Sequence, residues 1–141
     1  MLFRSDPDIV YGGRVSRFDR RTGQRQDMPP PRKPGYRVLR TAPLLFSPTD
    51  PKTLFYAANT LWKTNTGGQT WTEISPDLAR ETWEIPASVG VYRSAPSAQP
   101  SRRGVIYTVA PSPIDPSVIW TGTDDGLVHF TRNGEIGRAH V

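Results

Sequence analysis

The sequence predicts an all-β fold, and three features of the chain support this. No segment carries a sustained 3.6-residue repeat of apolar positions, which argues against packed helices. The 141 residues include 15 Pro and 12 Gly, residues that end strands and form turns. An Asp-Pro pair followed by a β-branched or aromatic run occurs three times, so a strand-and-turn unit is repeated along the chain.

Each repeat is predicted to be a β-hairpin. The Asp-Pro turn fixes φ and ends the preceding strand, and the apolar run that follows forms a new strand. A second short strand comes after each run, and in the third repeat Thr123-Asp124-Asp125-Gly126 supplies an explicit hairpin turn. The three runs are 6–13, 50–58 and 115–122, and the strands that follow them are 15–18, 61–64 and 127–131.

The spacing of the repeats predicts a partial β-propeller of about three four-stranded antiparallel blades in an open arc. Asp6 and Asp50 are 44 residues apart, which fits a blade of about 40–45 residues. Asp50 and Asp115 are 65 residues apart, and an insertion at about 81–103 explains the excess. The blade units lie near 6–35, 36–80 and 104–134. A β-sandwich with regularly spaced turns is the alternative.

A further strand is predicted upstream of each later Asp-Pro pair, at 36–40 and at 104–109. In a propeller these would be the innermost strands, which line the channel. We expect the innermost strands near 38–46 and 105–111. The Pro-rich run at 28–34 then connects two blades.

The composition excludes several classes of site. The chain has no Cys and two His, so it offers no disulfide framework, thiolate or histidine-rich metal site, and we predict no cofactor and no metal. Its 18 basic and 13 acidic residues give a net charge of +5, and nine of the basic residues lie between Arg14 and Arg40. Such a patch suits anionic polysaccharide or nucleic acid, but a solvated hairpin and loop explains it better. We expect no nucleic-acid partner.

The segment from Thr64 to Trp71 resembles the Asp-box, the Ser/Thr-x-Asp-x-Gly-x-Thr-Trp turn of BNR-repeat propellers. Thr64, Gly68, Thr70 and Trp71 match the motif, and Thr66 stands where the motif has Asp. A hydroxyl therefore replaces the carboxylate that accepts N–H bonds across the turn. The third repeat starts the same motif with Thr131 and with Asn133 in place of Asp, and the first repeat turns instead at 19–23.

On these residues the chain is similar to the BNR-repeat family, which includes sialidases, xyloglucan-degrading hydrolases and the sortilin luminal domain. The likeness extends to bacterial proteins described as glycosyl-hydrolase-like or sortilin-N-terminal-like. The resemblance implies a propeller from a larger secreted or envelope-associated bacterial protein. It also implies recognition of a protein or glycan on the propeller face. The alternative is part of a glycoside hydrolase whose catalytic residues lie on other blades.

A glycosidase needs two carboxylates placed about 5–9.5 Å apart across the scissile bond. The candidates are Asp77, Glu81, Glu84, Asp124 and Asp125. Asp124 and Asp125 are better explained as turn residues, and Glu81 and Glu84 as residues of a solvated loop. We therefore assign no catalytic residue.

Sialidase-type propellers bind the substrate carboxylate with Arg side chains, which suits Arg40 of a predicted inner strand and the Tyr92-Arg93 pair of the insertion. The resemblance thus makes Arg40, Tyr92 and Arg93 the candidate substrate-binding residues. Arg37 lies on the same predicted strand, but alternation directs it to the opposite face from Arg40.

The last seven residues, 135–141, break the Asp-box pattern of the third repeat. Their reading Glu-Ile-Gly-Arg-Ala-His-Val matches a translated sequencing adapter. We therefore interpret 135–141 as a non-native tail and 1–134 as the partial propeller.

Overall fold

Three antiparallel β-sheets follow one another along the chain, with little helix. The computed structural model describes residues 2–3, 6–82, 85–96, 102–134 and 136, with the backbone alone at 2–3. Within these residues, the prediction of an all-β protein is confirmed.

The first sheet contains four strands, β1 (Leu2–Phe3), β2 (Asp6–Gly12), β3 (Ser16–Asp19) and β4 (Gln24–Asp27), paired in chain order. The β2–β3 hairpin closes through Val15, a fully buried residue with a φ of 66°. A β-branched residue in this left-handed region is strained. Its burial in the core stabilises a turn that its backbone preference opposes.

The second sheet also has four strands in chain order, β5 (Leu44–Phe46), β6 (Leu54–Ala57), β7 (Leu61–Thr64) and β8 (Thr72–Glu73). Every residue of β6 is buried, because this strand is covered on both faces. The second sheet therefore lies between two other layers.

The third sheet has three strands among the described residues, β9 (Ile106–Pro111), β10 (Ile119–Thr123) and β11 (Val128–Thr131), in the order β11-β10-β9. The sequence predicts four strands in each unit, so the structure gives one fewer here. The chain beyond Asn133 is described only at Gly134 and Ile136.

The predicted strand at 36–40 is wrong. The backbone groups of Arg37 pair with a single residue, because its N–H donates to Asn59 Oδ1 and its carbonyl accepts from Asn59 N, both at 2.9 Å. Tyr36 N–H donates to Lys33 O in a local turn. Of the innermost strand expected near 38–46, only Leu44–Phe46 forms, whereas the strand expected near 105–111 forms as Ile106–Pro111.

The insertion expected at 81–103 contains a 3₁₀ element, Ala87–Ser94, which is broken at Gly90 with a φ of 61°. None of its residues is buried, and Val91 is 92% exposed. The element therefore lies on the surface and contributes little to the core.

Two apolar clusters bind the three sheets together. The first lies between the first and second sheets and contains Ile9, Tyr11, Val15, Phe46, Leu54 and Tyr56. The second lies between the second and third sheets and contains Phe55, Ala57, Leu61, Ile74, Leu78, Ile106, Val109, Ile119 and Ile136. Alternate residues of β6 thus enter opposite clusters, as the period of two in a strand requires. The sheets stack in chain order, with the second in the middle.

The strands define two ends of this stack. The hairpin end carries the turns at 13–15, 58–60 and 124–127, together with the connecting segment 28–43 and the parts of the 74–105 segment that the structure describes next to β8 and β9. The Asp-Pro end carries the three Asp-Pro turns and the turns that lead into β4 and β8.

Of the seven residues interpreted as a non-native tail, the structure describes Ile136 alone. Its side chain is 1% exposed, and its N–H donates to Ile74 O at 2.8 Å. The origin of the segment stays a prediction.

Candidate functional site

The three Asp-Pro turns are built in the same way. In each, a side-chain oxygen of the Asp accepts the N–H of the residue two positions later, at 3.1 Å from Asp8, 2.9 Å from Lys52 and 2.9 Å from Ser117. In the second and third repeats these bonds hold the chain in the turn before the next strand, whereas Asp6, Pro7 and Asp8 already belong to β2. The repeat found in the sequence is therefore also a repeat of hydrogen bonding.

The Asp-box-like turn between β7 and β8 is held by two Thr hydroxyls. Thr64 Oγ1 accepts the N–H groups of Thr66 at 3.2 Å and Gly68 at 3.1 Å. Thr66 Oγ1 accepts the N–H of Thr70 at 2.9 Å and lies 2.9 Å from Thr70 Oγ1. The Thr66 hydroxyl thus makes the bond across the turn that the Asp carboxylate makes in the Asp-box motif.

Both other sheets have a turn that begins like this one. Asn133 N–H donates to Thr131 Oγ1 at 3.2 Å, and Arg21 N–H donates to Asp19 Oδ1 at 2.9 Å. Asp19 therefore occupies the position of Thr64 and Thr131, although the first repeat lacks the motif in sequence. In all three sheets, a side-chain oxygen accepts the backbone N–H of the residue two positions later.

Trp71 and Gly68 join the first sheet to the second. Trp71 Nε1–H donates to Met28 O at 2.9 Å, and its ring lies 6.2 Å from that of Tyr56. Gly68 has a φ of 95°, and a Cβ placed there would come within 3.0 Å of Met28 Cβ. The turn therefore packs against the segment that follows the first sheet.

Asp77 is the centre of a polar cluster at the hairpin end. Its Oδ2 accepts from Arg37 Nη2 at 2.7 Å and from Asn59 Nδ2 at 3.0 Å, and its Oδ1 lies 3.3 Å from Arg102 Nε. Burial alone would raise the pKa of Asp77, but the hydrogen bonds from Asn59 and Arg37 outweigh it and hold this pKa below its usual value. A carboxylate that is ionised at neutral pH thus joins three chain segments.

Two other candidate carboxylates, Asp124 and Asp125, are bonded within the fold. Asp124 Oδ1 accepts Val105 N–H at 2.9 Å, and Asp125 Oδ2 accepts Arg80 N–H at 2.7 Å. The two turn residues therefore also attach the β10–β11 hairpin to segments far away in sequence. Glu81 lines a cleft with His129, and Glu84 lies outside the described residues.

His129 is buried in the cleft of about 240 Å³ that it shares with Glu81 and Arg102. Its Nε2 lies 2.9 Å from Leu78 O, and because a carbonyl only accepts, Nε2 must carry the proton. Nδ1 is then an acceptor without a partner among the described residues, as is the Thr121 hydroxyl directly opposite it in the sheet. The candidate carboxylates Asp77 and Glu81 line this cleft, whereas the predicted substrate-binding residues do not.

A cleft of about 370 Å³ at the hairpin end gathers part of the basic stretch noted in the sequence. It lies between the first sheet and the 28–43 segment, and it is lined by Arg14, Arg25 and Arg32 together with Tyr36 and Tyr56. We call it the arginine cleft. Sequence reasoning found the excess of charge but not this set, because Arg14, Arg25 and Arg32 belong to a hairpin turn, a strand and a connecting segment.

A third cleft, of about 490 Å³, lies at the Asp-Pro end under the Asp-box-like turn. Tyr11 O–H, which donates to Gly67 O at 2.9 Å, closes it on one side. Its lining mixes the cations Arg17 and Lys52 with Asp6 and several amides, so it does not concentrate one kind of group.

The predicted substrate-binding residues Arg40, Tyr92 and Arg93 are exposed, and none of them lines the three clefts described above. Arg40 lies in a turn of the 28–43 segment, and Tyr92 and Arg93 lie in the 3₁₀ element. Their role stays a prediction.

Within the described ranges, no three His, Asp or Glu side chains converge as a metal site would require. No helix in that same part of the chain has the length and apolarity of a membrane span. Comparison with protein-family models, curated proteins and solved structures gave no significant match to this chain.

Proposed function

We propose that the chain is part of an Asp-box β-propeller that acts as a recognition domain, with its ligand, a protein or a glycan, bound at the hairpin end. The observation that carries the propeller arrangement is a positional rule in the stacking. Five residues after the Asp of each Asp-Pro pair stand Tyr11, Phe55 and Trp120. Tyr11 packs on the second sheet, with its ring 5.8 Å from that of Phe46, and Phe55 packs on the third.

By this rule Trp120 faces the place of a fourth sheet. Trp120 is 47% exposed and stacks on Phe130, with ring centroids 4.8 Å apart. Val128, on the same face of the sheet, is also 47% exposed. In a propeller, neighbouring blades pack face to face in chain order. The third sheet packs one face on the second sheet and leaves an apolar surface on its other face, as a blade with a further neighbour would. A further sheet of the same kind is the occupant that this surface fits.

Recognition is favoured over catalysis because the candidate carboxylates have structural partners. Asp77 is held by two Arg side chains, and Asp124 and Asp125 accept backbone N–H groups. A general acid needs a proton near neutral pH, whereas the cations and donors around Asp77 keep it ionised. The hairpin end is the favoured binding surface because both long connecting segments lie there, and such loops usually carry binding residues.

The proposal is tested on the purified chain with a panel of immobilised glycans and with fluorogenic glycosides. We expect saturable binding without release of the fluorophore. Turnover by the wild-type chain that is lost in a folded Asp77→Asn variant would instead support the glycoside hydrolase alternative.

The binding surface is mapped by single-site labelling, which the absence of native Cys permits. Arg40→Cys places a bulky maleimide at the hairpin end, and Lys52→Cys places it at the Asp-Pro end. We expect the label at Arg40 to block binding and the label at Lys52 to leave it intact. The reverse pattern would overturn the proposal.

A further inference from the structure

The arginine cleft carries an excess of positive charge. Three guanidinium groups line it, and Asp27 is the carboxylate among the lining residues. Asp27 is already bonded, since its Oδ1 accepts from Ser16 Oγ at 2.5 Å and from Arg25 Nη2 at 3.2 Å. No carboxylate of the described chain lies within salt-bridge distance of Arg14 or Arg32. Two positive charges therefore face the cleft without a counter-charge from those residues.

Two tyrosines give the cleft a rigid wall with a hydroxyl donor. Tyr56 is fully buried, and its hydroxyl lies 3.2 Å from that of Tyr36. Burial and the hydrogen bond to Tyr36 raise the pKa of Tyr56, which fits Tyr56 as the donor of this bond. When Tyr56 donates this bond, the Tyr36 O–H is available to a ligand oxygen in the cleft.

Arg32 is positioned by Tyr36, because its guanidinium lies 5.8 Å from the centre of the Tyr36 ring. A guanidinium held over a ring loses less freedom when it binds a planar oxyanion, and its paired N–H groups match a carboxylate or sulfate. The cleft therefore combines charge, paired donors and partial pre-organisation.

From these features we infer that the arginine cleft binds the carboxylate or sulfate group of an acidic sugar, with Arg14, Arg32 and the Tyr36 hydroxyl as the contacts. The inference rests on the proposed recognition function and names its ligand class. A cleft of about 370 Å³ fits a single ring-sized group. A nucleic-acid strand would need open aromatic faces for its bases, but Arg32 covers Tyr36 and Tyr56 is buried.

The test is titration calorimetry with three probes, a glucuronate-containing tetrasaccharide, a sulfated disaccharide and a neutral chito-oligosaccharide of similar size. We expect one or both acidic probes to bind and the neutral one to bind at least about tenfold more weakly, because charged hydrogen bonds are lost. The two acidic probes distinguish a carboxylate from a sulfate. A thymidine oligonucleotide that binds as tightly as the acidic sugars would overturn the inference.

The variants separate this cleft from charge in general. Arg14→Gln and Arg32→Gln together should weaken acidic-sugar binding by about tenfold or more, whereas Arg20→Gln with Lys52→Gln, an equal change of charge outside the cleft, should change it less than about twofold. Tyr36→Phe keeps the ring and should weaken binding by about threefold to tenfold. Equal losses in both double variants, with unchanged circular dichroism, would overturn the inference.

The outcomes also distinguish the inference from the function on which it rests. Binding of neutral glycans or of a protein, unaffected by Arg14→Gln and Arg32→Gln, would overturn the acidic-sugar inference and leave the recognition function standing. Hydrolysis of the probes would overturn the recognition function itself.

Discussion

Thr66 Oγ1 accepts the backbone N–H of Thr70 at 2.9 Å and thereby closes the turn between the last two strands of the second sheet. Thr66 stands where the Asp-box motif has Asp. Its hydroxyl takes the place of the carboxylate and still accepts the N–H bond. Because a hydroxyl is uncharged, this bond should not depend on pH.

Replacement of Thr66 with Val should destabilise the protein by about 1 kcal/mol, since it removes an acceptor and leaves Thr70 N–H without this partner. Thr66→Asp should match or exceed the wild-type stability, because a carboxylate accepts the same bond with a charge. Urea denaturation measures both, with Thr72→Val at an exposed strand position as the matched control. A Thr66→Val protein as stable as Thr72→Val would contradict the role of this hydroxyl.

Gly68 and Gly23 both have positive φ, at 95° and 70°, but differ in what surrounds them. A Cβ at Gly68 meets Met28 Cβ at 3.0 Å, whereas nothing lies within 4 Å of one at Gly23. Gly23→Ala should cost about 1 kcal/mol for the left-handed backbone alone. Gly68→Ala should cost about 1–3 kcal/mol more, because Met28 must move and the junction of the first two sheets must open. Equal thermal shifts in the two variants would show that Met28 yields freely.

Asp77→Asn should lower the free energy of unfolding at pH 7 by about 2 kcal/mol, below the range for fully buried pairs because the Asp77 side chain is 19% exposed. The folded-state pKa of Asp77 lies below its ordinary value. Its contribution is therefore fully present above about pH 4 and is lost as the pH falls through the folded-state pKa. Urea denaturation between pH 7 and pH 3 should show a smaller acid loss in Asp77→Asn than in the wild type.

A double-mutant cycle checks that this effect passes through Arg37. Arg37→Gln should be clearly destabilising in the wild type and much less so in the Asp77→Asn background. Additive effects of the two changes would mean that the 2.7 Å pair contributes little to stability.

The exposed Trp120–Phe130 face should mediate self-association of the isolated chain, because no sheet formed by the described residues covers it. Replacement of both residues with Ser should shift sedimentation profiles toward the monomer. Ile114→Ser, which removes an apolar side chain that is 90% exposed on a turn, should leave them unchanged. A wild-type chain that is monomeric at high concentration and melts sharply would argue against the open-blade arrangement.

The local elements could be predicted from the sequence because their bonds join near neighbours. Each Asp-Pro turn is closed between residues two positions apart, and the Asp-box-like turn between residues two to four apart. The β-branched and aromatic runs between these turns then form strands near the predicted positions. The failures lie where a distant residue intervenes: Arg37 pairs its backbone with Asn59 instead of a strand.

The arginine cleft could not be predicted for the same reason, since its residues are distant from one another in the sequence. The sequence by itself determined that positive charge is concentrated between Arg14 and Arg40, and that sheets would recur with each Asp-Pro pair. Only the tertiary structure decided that Arg14, Arg25 and Arg32 line one cleft with Tyr56. Tyr56 faces the cleft because β6 directs alternate side chains to opposite sheets. That choice depends on which layers pack against β6, and no local pattern in the sequence specifies it.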